Sequence, residues 1–162
     1  MKIGIIYTSI SGNTKELAQL LYELFKKQTI KVHLFHIKDF PIQTLSEFDA
    51  IAIGTYTWGN GEIPLEMEPL YHAFEKSKQT KMITGVFGTG DSFYPYYCGA
   101  IDKFKDLLKI YTNLAVTLKI ELSPQTQDIL KCKRFVELFA ERMQQSGNFK
   151  SRIYESRDSI LR

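Results

Sequence analysis

The sequence has little of what marks disulfide-rich, metal-binding or membrane-spanning proteins. Its 162 residues include two cysteines, Cys98 and Cys132, and three scattered histidines, with no spacing typical of a metal site. No apolar run approaches the roughly 20 residues that a membrane-spanning helix needs. The chain also begins directly with a strand pattern rather than a signal peptide. We therefore expect a cytoplasmic protein with reduced thiols, no metal and no membrane association.

Two common phosphate-binding motifs are also missing. The sequence has no Gly-x-x-x-x-Gly-Lys-[Ser/Thr] P-loop and no Gly-x-Gly-x-x-Gly dinucleotide fingerprint. Their absence argues against a nucleoside triphosphate or a dinucleotide as the ligand. A ligand with one terminal phosphate, held by neutral donors, remains compatible with the sequence.

The patterns that are present indicate a single α/β domain. Apolar residues make up 44% of the chain and charged residues 24%, as in ordinary globular proteins. Five apolar strand patterns alternate with helical ones, which predicts a doubly wound parallel sheet with helices on both faces. The predicted strands are 2–7, 31–37, 49–54, 82–88 and 115–121, and the predicted helices are 14–28, 65–76, 98–111 and 127–145. The connection 38–48 is expected to be irregular or to hold one short helix.

A polar loop follows the first strand and leads into the first helix. Its sequence is Ser9-Ile10-Ser11-Gly12-Asn13-Thr14. The first backbone N–H groups of a helix lack partners within the helix, and the helix dipole adds partial positive charge there. Hydroxyl groups and a glycine complete a cradle suited to a phosphate. The alternative is an ordinary hydroxyl cap of the helix.

Two further loops, at the ends of the third and fourth strands, are rich in aromatic residues. The loop 55–64 contains Trp58, the only tryptophan, and the loop 88–100 contains four aromatic residues within five positions. The carboxyl ends of neighbouring parallel strands share one sheet edge, so the three loops should meet in one site. A planar ring between the aromatic loops is the functional interpretation; the alternative is that the aromatic residues pack on one another.

The charge is unevenly distributed along the chain. The net charge is +3, yet residues 54–75 carry −4 and residues 86–102 carry −2, so the remainder carries +9. The acids of these two segments are Glu62, Glu66, Glu68, Glu75, Asp91 and Asp102. Aromatic loops with acidic flanks argue against nucleic-acid binding and favour a basic partner.

Together these motifs resemble those of the short-chain flavodoxins. The resemblance rests on the Ser-x-Ser-Gly-Asn-Thr loop, the Thr-Trp-Gly-Asn-Gly loop and the Gly-Asp-x-x-Tyr-x-x-Cys-Gly-Ala loop. It covers residues 1–145, and 146–162 form a basic C-terminal extension of the same domain. The run 114–131 has no room for the insertion of long-chain members. The fold implied is a flavodoxin-like five-stranded parallel sheet of order 2-1-3-4-5.

The resemblance implies FMN as the cofactor and assigns roles to the loops. The first loop would hold the phosphate, Trp58 and Tyr94 would cover the two ring faces, and the third loop's backbone would meet the pyrimidine edge. The implied cofactor-binding residues are Ser9, Ile10, Ser11, Gly12, Asn13, Thr14, Tyr56, Thr57, Trp58, Gly59, Asn60, Thr89, Gly90, Asp91, Tyr94, Tyr96, Tyr97 and Cys98.

The implied function is low-potential, one-electron transfer between redox proteins. Buried between aromatic rings and near acids, a reduced flavin anion would be destabilised, whereas a neutral semiquinone would gain a bond to the carbonyl of the Gly59–Asn60 peptide. Rings on both flavin faces would leave no room for hydride transfer, which argues against an enzyme. The implied partners are basic redox proteins, namely a flavodoxin reductase and electron-acceptor enzymes. Asn60 replaces a common aspartate, which predicts a somewhat less negative potential.

Three alternatives remain open from the sequence. One is a flavodoxin-like activator of manganese ribonucleotide reductase, and another is an FMN-dependent NAD(P)H or quinone reductase. The third is a flavin-free module that binds another phosphorylated ligand. A monomer is the default expectation for the oligomeric state.

Overall fold

The computed structural model describes the backbone of residues 1–160 and the side chains of residues 1–147. Five strands form one parallel sheet; three α-helices lie between strands in sequence, and a fourth follows the last strand. The strands are β1 (Ile3–Tyr7), β2 (His33–His36), β3 (Ala50–Thr55), β4 (Ile83–Gly90) and β5 (Asn113–Glu121). The helices are α1 (Asn13–Lys27), α2 (Glu68–Ser77), α3 (Gly99–Tyr111) and α4 (Ile129–Ile160).

The strand order is β2-β1-β3-β4-β5, which confirms the predicted doubly wound topology. All four pairings are parallel; for example, Ile5 lies beside Ala52 and Ile53 beside Val86. From β1 the chain adds β2 on one side and β3 on the other, so the direction of strand addition reverses between β1 and β3. Ligands of open α/β sheets bind at such a switch point. The carboxyl ends of β1, β3 and β4 therefore lie together at one edge.

Successive side chains of a strand point to opposite faces of the sheet, which divides the core into two layers. Ile5 belongs to a cluster formed with α1 and α4, whereas its neighbour Ile6 belongs to a cluster formed with α2 and α3. All six residues of β3 are buried, because this central strand is covered on both faces. In α1 the spacing of Leu17, Leu21 and Leu24 places all three on the buried face.

Two predicted boundaries were wrong. The connection expected to hold at most one short helix contains two 3₁₀ turns, Ile37–Asp39 and Ile42–Glu47. The last helix was expected to end at residue 145, but its backbone continues to Ile160. The sequence is compatible with this, because 146–160 contains no proline and Gly147 is its one residue with a large helix penalty. The charges assigned to the C-terminal extension lie outside the described side chains.

Among the described residues, no helix is long and apolar enough to cross a membrane. Within the same part of the chain, no group of three or more His, Cys, Asp or Glu residues is arranged to hold a metal ion.

Candidate functional site

A cleft of about 370 Å³ opens at the carboxyl edge of the sheet, where the three loops meet. Thirteen of the eighteen predicted site residues line it: Ile10, Ser11, Asn13, Tyr56, Thr57, Gly59, Thr89, Gly90, Asp91, Tyr94, Tyr96, Tyr97 and Cys98. The other five, which flank these positions in the loops, are Ser9, Gly12, Thr14, Trp58 and Asn60. The structure thus brings the three predicted segments to one concave surface.

The first loop leaves the beginning of α1 open to a ligand. Gly12 occupies the N-cap position with φ = 94°, and no side chain caps the helix. A Cβ atom at Gly12 would meet nothing within 4 Å, so it is the backbone angle that requires glycine. The Gly12 N–H donates to Ser9 Oγ at 3.2 Å, which folds the loop back on itself. An ordinary hydroxyl cap, the alternative interpretation, is therefore not what the structure contains.

Thr14, the last residue of this loop, points its side chain into the protein interior rather than towards the cleft. Its side chain is buried, and its hydroxyl lies 2.8 Å from the hydroxyl of Thr89, at the end of β4. The hydroxyl pair joins the first loop to the third. The backbone N–H of Thr14, in the first turn of α1, remains available as a donor at the helix N-terminus.

The second loop is a tight turn closed by two backbone hydrogen bonds. The Trp58 N–H donates to the Glu62 carbonyl at 2.8 Å, and the Glu62 N–H donates to the Trp58 carbonyl at 2.7 Å. Gly59 and Gly61 within the turn have φ values of 49° and 86°. Both glycines thus hold left-handed conformations that other residues adopt at a cost.

The third loop packs closely against the second through glycine. A Cβ atom on Gly99 would lie 2.7 Å from the Cα of Gly61, and one on Gly90 would lie 2.8 Å from Cys98 Sγ. The Ala100 N–H also donates to Thr57 Oγ1, at 3.3 Å. The Gly99–Gly61 and Ala100–Thr57 contacts fix the spacing between the two aromatic loops, and the Gly90–Cys98 contact closes the third loop on itself.

The aromatic side chains of these loops differ in exposure. Trp58 is 54% exposed and Tyr94 is 65% exposed, whereas Tyr97 is half-buried at the cleft. Phe93 contacts Tyr94 edge to face, with ring centroids 5.9 Å apart. Packing of the aromatic residues on one another therefore accounts for only part of the group. An exposed apolar cluster of this kind is typical of an interaction site.

A carboxylate beside the cleft links the first two loops. Glu66 Oε1 accepts hydrogen bonds from Thr8 Oγ1 at 2.7 Å and from the Tyr56 hydroxyl at 2.8 Å. Burial acts to raise the pKa of Glu66, but the Thr8, backbone and Tyr56 hydrogen bonds, with the charge of Lys38, lower it overall. Burial and the Glu66 hydrogen bond raise the pKa of Tyr56, so this phenol stays protonated.

The thiol that lines the cleft is neutral at physiological pH. Burial raises the pKa of Cys98 to about 11, despite a hydrogen bond with Tyr97 that lowers it. The pKa of Tyr97 is also raised, first by burial and then by the neighbouring Cys98. Because the thiolate is the reactive form, Cys98 is suited to packing rather than to nucleophilic chemistry.

The sequence patterns did not single out three residues that shape the cleft. Pro95 and Leu122 line it, and Glu66 was noted only as one of the loop acids. Leu122 directly follows β5, has φ = 55°, and its N–H donates to the Gly90 carbonyl at 2.7 Å. Its position after a strand was a usable signal, since the end of β5 lies beside that of β4.

Comparison with known proteins gives matches over most of the chain. The family model described as Flavodoxin matches residues 5–146. "Probable flavodoxin 1" of Bacillus subtilis (strain 168) is 33% identical over 144 residues, covering 85% of this chain and 89% of that protein. "Flavodoxin" of Maridesulfovibrio salexigens is 34% identical over 131 residues, covering 78% and 90% respectively.

Solved structures give matching results. The crystal structure of oxidised Flavodoxin 2 from Bacillus cereus superposes with a TM-score of 0.81 at 35% identity, covering 88% of this chain and 99% of that one. A short-chain flavodoxin associated with a non-canonical PDU bacterial microcompartment gives a TM-score of 0.81 at 26% identity, with coverages of 87% and 98%.

Proposed function

Because the chain belongs to the short-chain flavodoxin family of FMN-binding electron-transfer proteins, we propose that it carries single electrons between redox proteins. The observation that supports this most directly is the convergence of the three loops on one cleft. Members of the family are electron carriers rather than enzymes, in agreement with a site that offers no reactive nucleophile at Cys98.

The residues at the cleft fit FMN. The N-terminus of α1 has no side-chain cap, and Gly12 before it is in a left-handed conformation. Its uncharged backbone N–H donors suit the binding of a phosphate monoester. Beside it lie exposed aromatic side chains and the backbone of the third loop, which suit a flat ring with polar edges. We propose that 9–14 hold the phosphate, that Trp58 and Tyr94 cover the ring faces, and that the backbone of 89–98 meets the pyrimidine edge.

When bound, FMN supplies the capacity to accept and donate electrons one at a time. The chain contributes the surroundings that favour this behaviour. Glu62 and Asp91 place negative charge near the cleft, which opposes further negative charge on a reduced ring. The aromatic side chains limit access of water and of hydride donors to the ring faces.

The Gly59–Asn60 peptide is the proposed adjustable element of the site. It lies in the exposed Trp58–Glu62 turn, and the nearest atom to a Cβ on Gly59 is Glu62 Oε2 at 4.0 Å. The peptide therefore has room to reorient, and glycine permits either sign of φ. We propose that its carbonyl would accept a hydrogen bond from a ring N–H of bound FMN.

The proposed partners are basic redox proteins, a reductase and electron acceptors, which dock at the loop edge of the sheet. Exposed acids there would steer such partners. We further propose that the protein works as a cytoplasmic monomer. The free thiols of Cys98 and Cys132 are compatible with a reducing compartment.

A spectroscopic redox titration under anaerobic conditions tests this function. The purified protein should be yellow, its apoprotein should bind added FMN at one site per chain, and reduction should resolve into two one-electron steps. A colourless protein that does not bind FMN would refute cofactor binding. A single two-electron step, or steady NAD(P)H oxidation by the protein alone, would refute the single-electron role.

A further inference from the structure

One carboxylate oxygen joins two of the three loops that form the cleft. Thr8, at the end of β1, and Tyr56, just after β3, both donate to the same atom, Glu66 Oε1. Glu66 lies in the 3₁₀ turn Leu65–Met67, which precedes α2. The contacts span 58 and 10 residues of sequence, so the oxygen adds a side-chain link between segments whose backbones pair in β1 and β3.

We propose that Glu66 is a positioning residue for FMN, which holds the phosphate-side loop and Tyr56 in register through Oε1. The inference rests on the proposed function, because FMN is the ligand whose affinity it concerns. Glu66 acts through its two partners: Thr8 directly precedes the phosphate loop, and Tyr56 lines the cleft.

The surroundings of Thr8 make this bridge stiff. Thr8 is 1% exposed, and its N–H donates to the Gly54 carbonyl at 3.0 Å, which fixes its backbone against β3. Its hydroxyl is therefore a fixed donor rather than a mobile surface group. A carboxylate that accepts from this donor and from a phenol has little freedom left, so the two loops are preorganised before FMN binds. Preorganisation raises affinity because less ordering is needed on binding.

The charge state of Glu66 supports the same role. The net lowering of its pKa keeps the carboxyl ionised at neutral pH, and an ionised acceptor makes stronger hydrogen bonds than a neutral one. Glu62 and Glu68, the nearest acids along the chain, are exposed, whereas Glu66 is half-buried. The position therefore differs from its acidic neighbours in burial and in hydrogen bonding.

The test measures the dissociation constant of FMN, from the quenching of flavin fluorescence on titration with apoprotein. Glu66→Ala removes both hydrogen bonds and should weaken FMN binding by about tenfold or more. Glu66→Gln keeps a carbonyl oxygen that accepts both bonds, and it should stay within about threefold of wild type. Glu68→Ala is the matched control with the same change in charge at an exposed site, and it should leave affinity within about twofold.

Variants that each remove one of the two hydrogen bonds to Glu66 separate its positioning role from a general effect of the residue. Thr8→Val and Tyr56→Phe should each weaken FMN binding in the wild-type background. In the Glu66→Ala background both should have little further effect, because the bridge is already absent. These variants also decide the question if circular dichroism shows that Glu66→Ala does not fold; wild-type affinity in both would then overturn the proposal.

The outcomes distinguish this inference from the proposed function. Wild-type apoprotein that fails to bind FMN would refute the function itself. Wild-type protein that binds FMN, with Glu66→Ala binding equally well, would refute only the role of Glu66. Glu66→Gln as weak as Glu66→Ala would also overturn the proposal, because charge rather than hydrogen bonding would then be responsible.

Discussion

The hydroxyls of Thr14 and Thr89 lie 2.8 Å apart, although the two residues are separated by 75 positions in the sequence. Thr14 is in the first turn of α1 and Thr89 is near the end of β4, and both side chains are buried. The pair therefore fixes the anion cradle to the strand from which the third loop begins. With the Glu66 bridge and the Gly61–Gly99 contact, each pair of loops has a direct connection.

Thr14→Val should destabilise the apoprotein by about 1–3 kcal/mol, because it leaves the buried hydroxyl of Thr89 without its partner. The double variant Thr14→Val/Thr89→Val should regain most of this loss, since no unpaired hydroxyl remains. Urea denaturation of the apoprotein measures the free energy of unfolding. Additive losses in the double variant would show that the hydroxyl pair contributes no coupling.

A matched threonine on the same strand serves as a control for FMN affinity. Thr84 forms a buried hydroxyl pair with Thr112 at 2.6 Å, about 16 Å along β4 from Thr89. Thr84→Val should cost less stability, because Thr112 Oγ1 still donates to the Leu108 carbonyl at 2.7 Å, and it should leave the dissociation constant of FMN unchanged. Thr89→Val should raise that dissociation constant. Equal effects on FMN affinity would indicate that general stability, not the position of the cradle, governs binding.

The contact between Gly61 and Gly99 predicts a steric effect of a single methyl group. In Gly99→Ala the new Cβ would lie 2.7 Å from the Gly61 Cα, and backbone atoms cannot move aside cheaply. We expect a loss of about 1–3 kcal/mol in stability and weaker FMN binding, because the aromatic loops must separate.

Gly147→Ala in α4 is the appropriate comparison for Gly99→Ala. A Cβ there would meet no described atom within 4 Å, so the helix preference of alanine should raise stability by up to about 1 kcal/mol. Gly99 also lies in a helix, at the first position of α3, where alanine is otherwise favoured. Thermal unfolding of both variants should therefore give shifts of opposite sign, and a stabilised Gly99→Ala would contradict the packing.

Much of this site could be predicted because it depends on local sequence and on sheet topology. Gly12 before α1 and the glycines of the Trp58–Glu62 turn have positive φ angles, and short sequence motifs predict such turn conformations well. Convergence of the loops follows from parallel strand order alone. Glu66 was not identified as a site residue because its role depends on Thr8 and Tyr56 elsewhere in the chain, and one-dimensional patterns do not report such pairings.

The raised pKa of Cys98 predicts slow alkylation of the native protein. A pKa of about 11, instead of the ordinary value of 9.0, lowers the thiolate fraction at pH 8 by about 100-fold. Stability should fall as pH rises from 9 towards 11, because the unfolded thiol ionises first and the folded one resists. Iodoacetamide labelling followed by mass spectrometry measures the rates, with urea-unfolded protein as the reference.

Cys132 provides an internal control for this labelling. Burial also raises its pKa to about 11, but it lies in α4, away from the cleft that Cys98 lines. Bound FMN should therefore protect Cys98 further and leave the rate at Cys132 unchanged. Rapid labelling of native Cys98 at pH 8 would contradict the buried, neutral thiol.

The structure narrows the set of acids that could steer a basic partner. Asp102 Oδ1 lies 2.7 Å from the Lys119 ammonium, which offsets its charge, and Glu66 is half-buried where it accepts from two hydroxyls. Glu62 and Glu68, in and just after the second loop, are exposed, so they should contribute to the steering field together with Asp91 at the cleft. Glu62→Gln/Glu68→Gln should therefore lower the second-order rate of reduction by a basic reductase severalfold at low salt.

Screening separates steering from direct contact. The Debye length falls from about 10 Å at 0.1 M salt to about 3 Å at 1 M, so the difference between variant and wild type should vanish at high salt. Glu137→Gln/Glu141→Gln removes two exposed acids of α4 and matches the charge change away from the loops. Stopped-flow rates across ionic strength distinguish the cases. If the α4 variant slowed reduction as much as the loop variant, the net charge of the protein rather than the loop acids would control association. If the loop variant were still slower than wild type at about 1 M salt, the loop acids would act by direct contact instead of by steering.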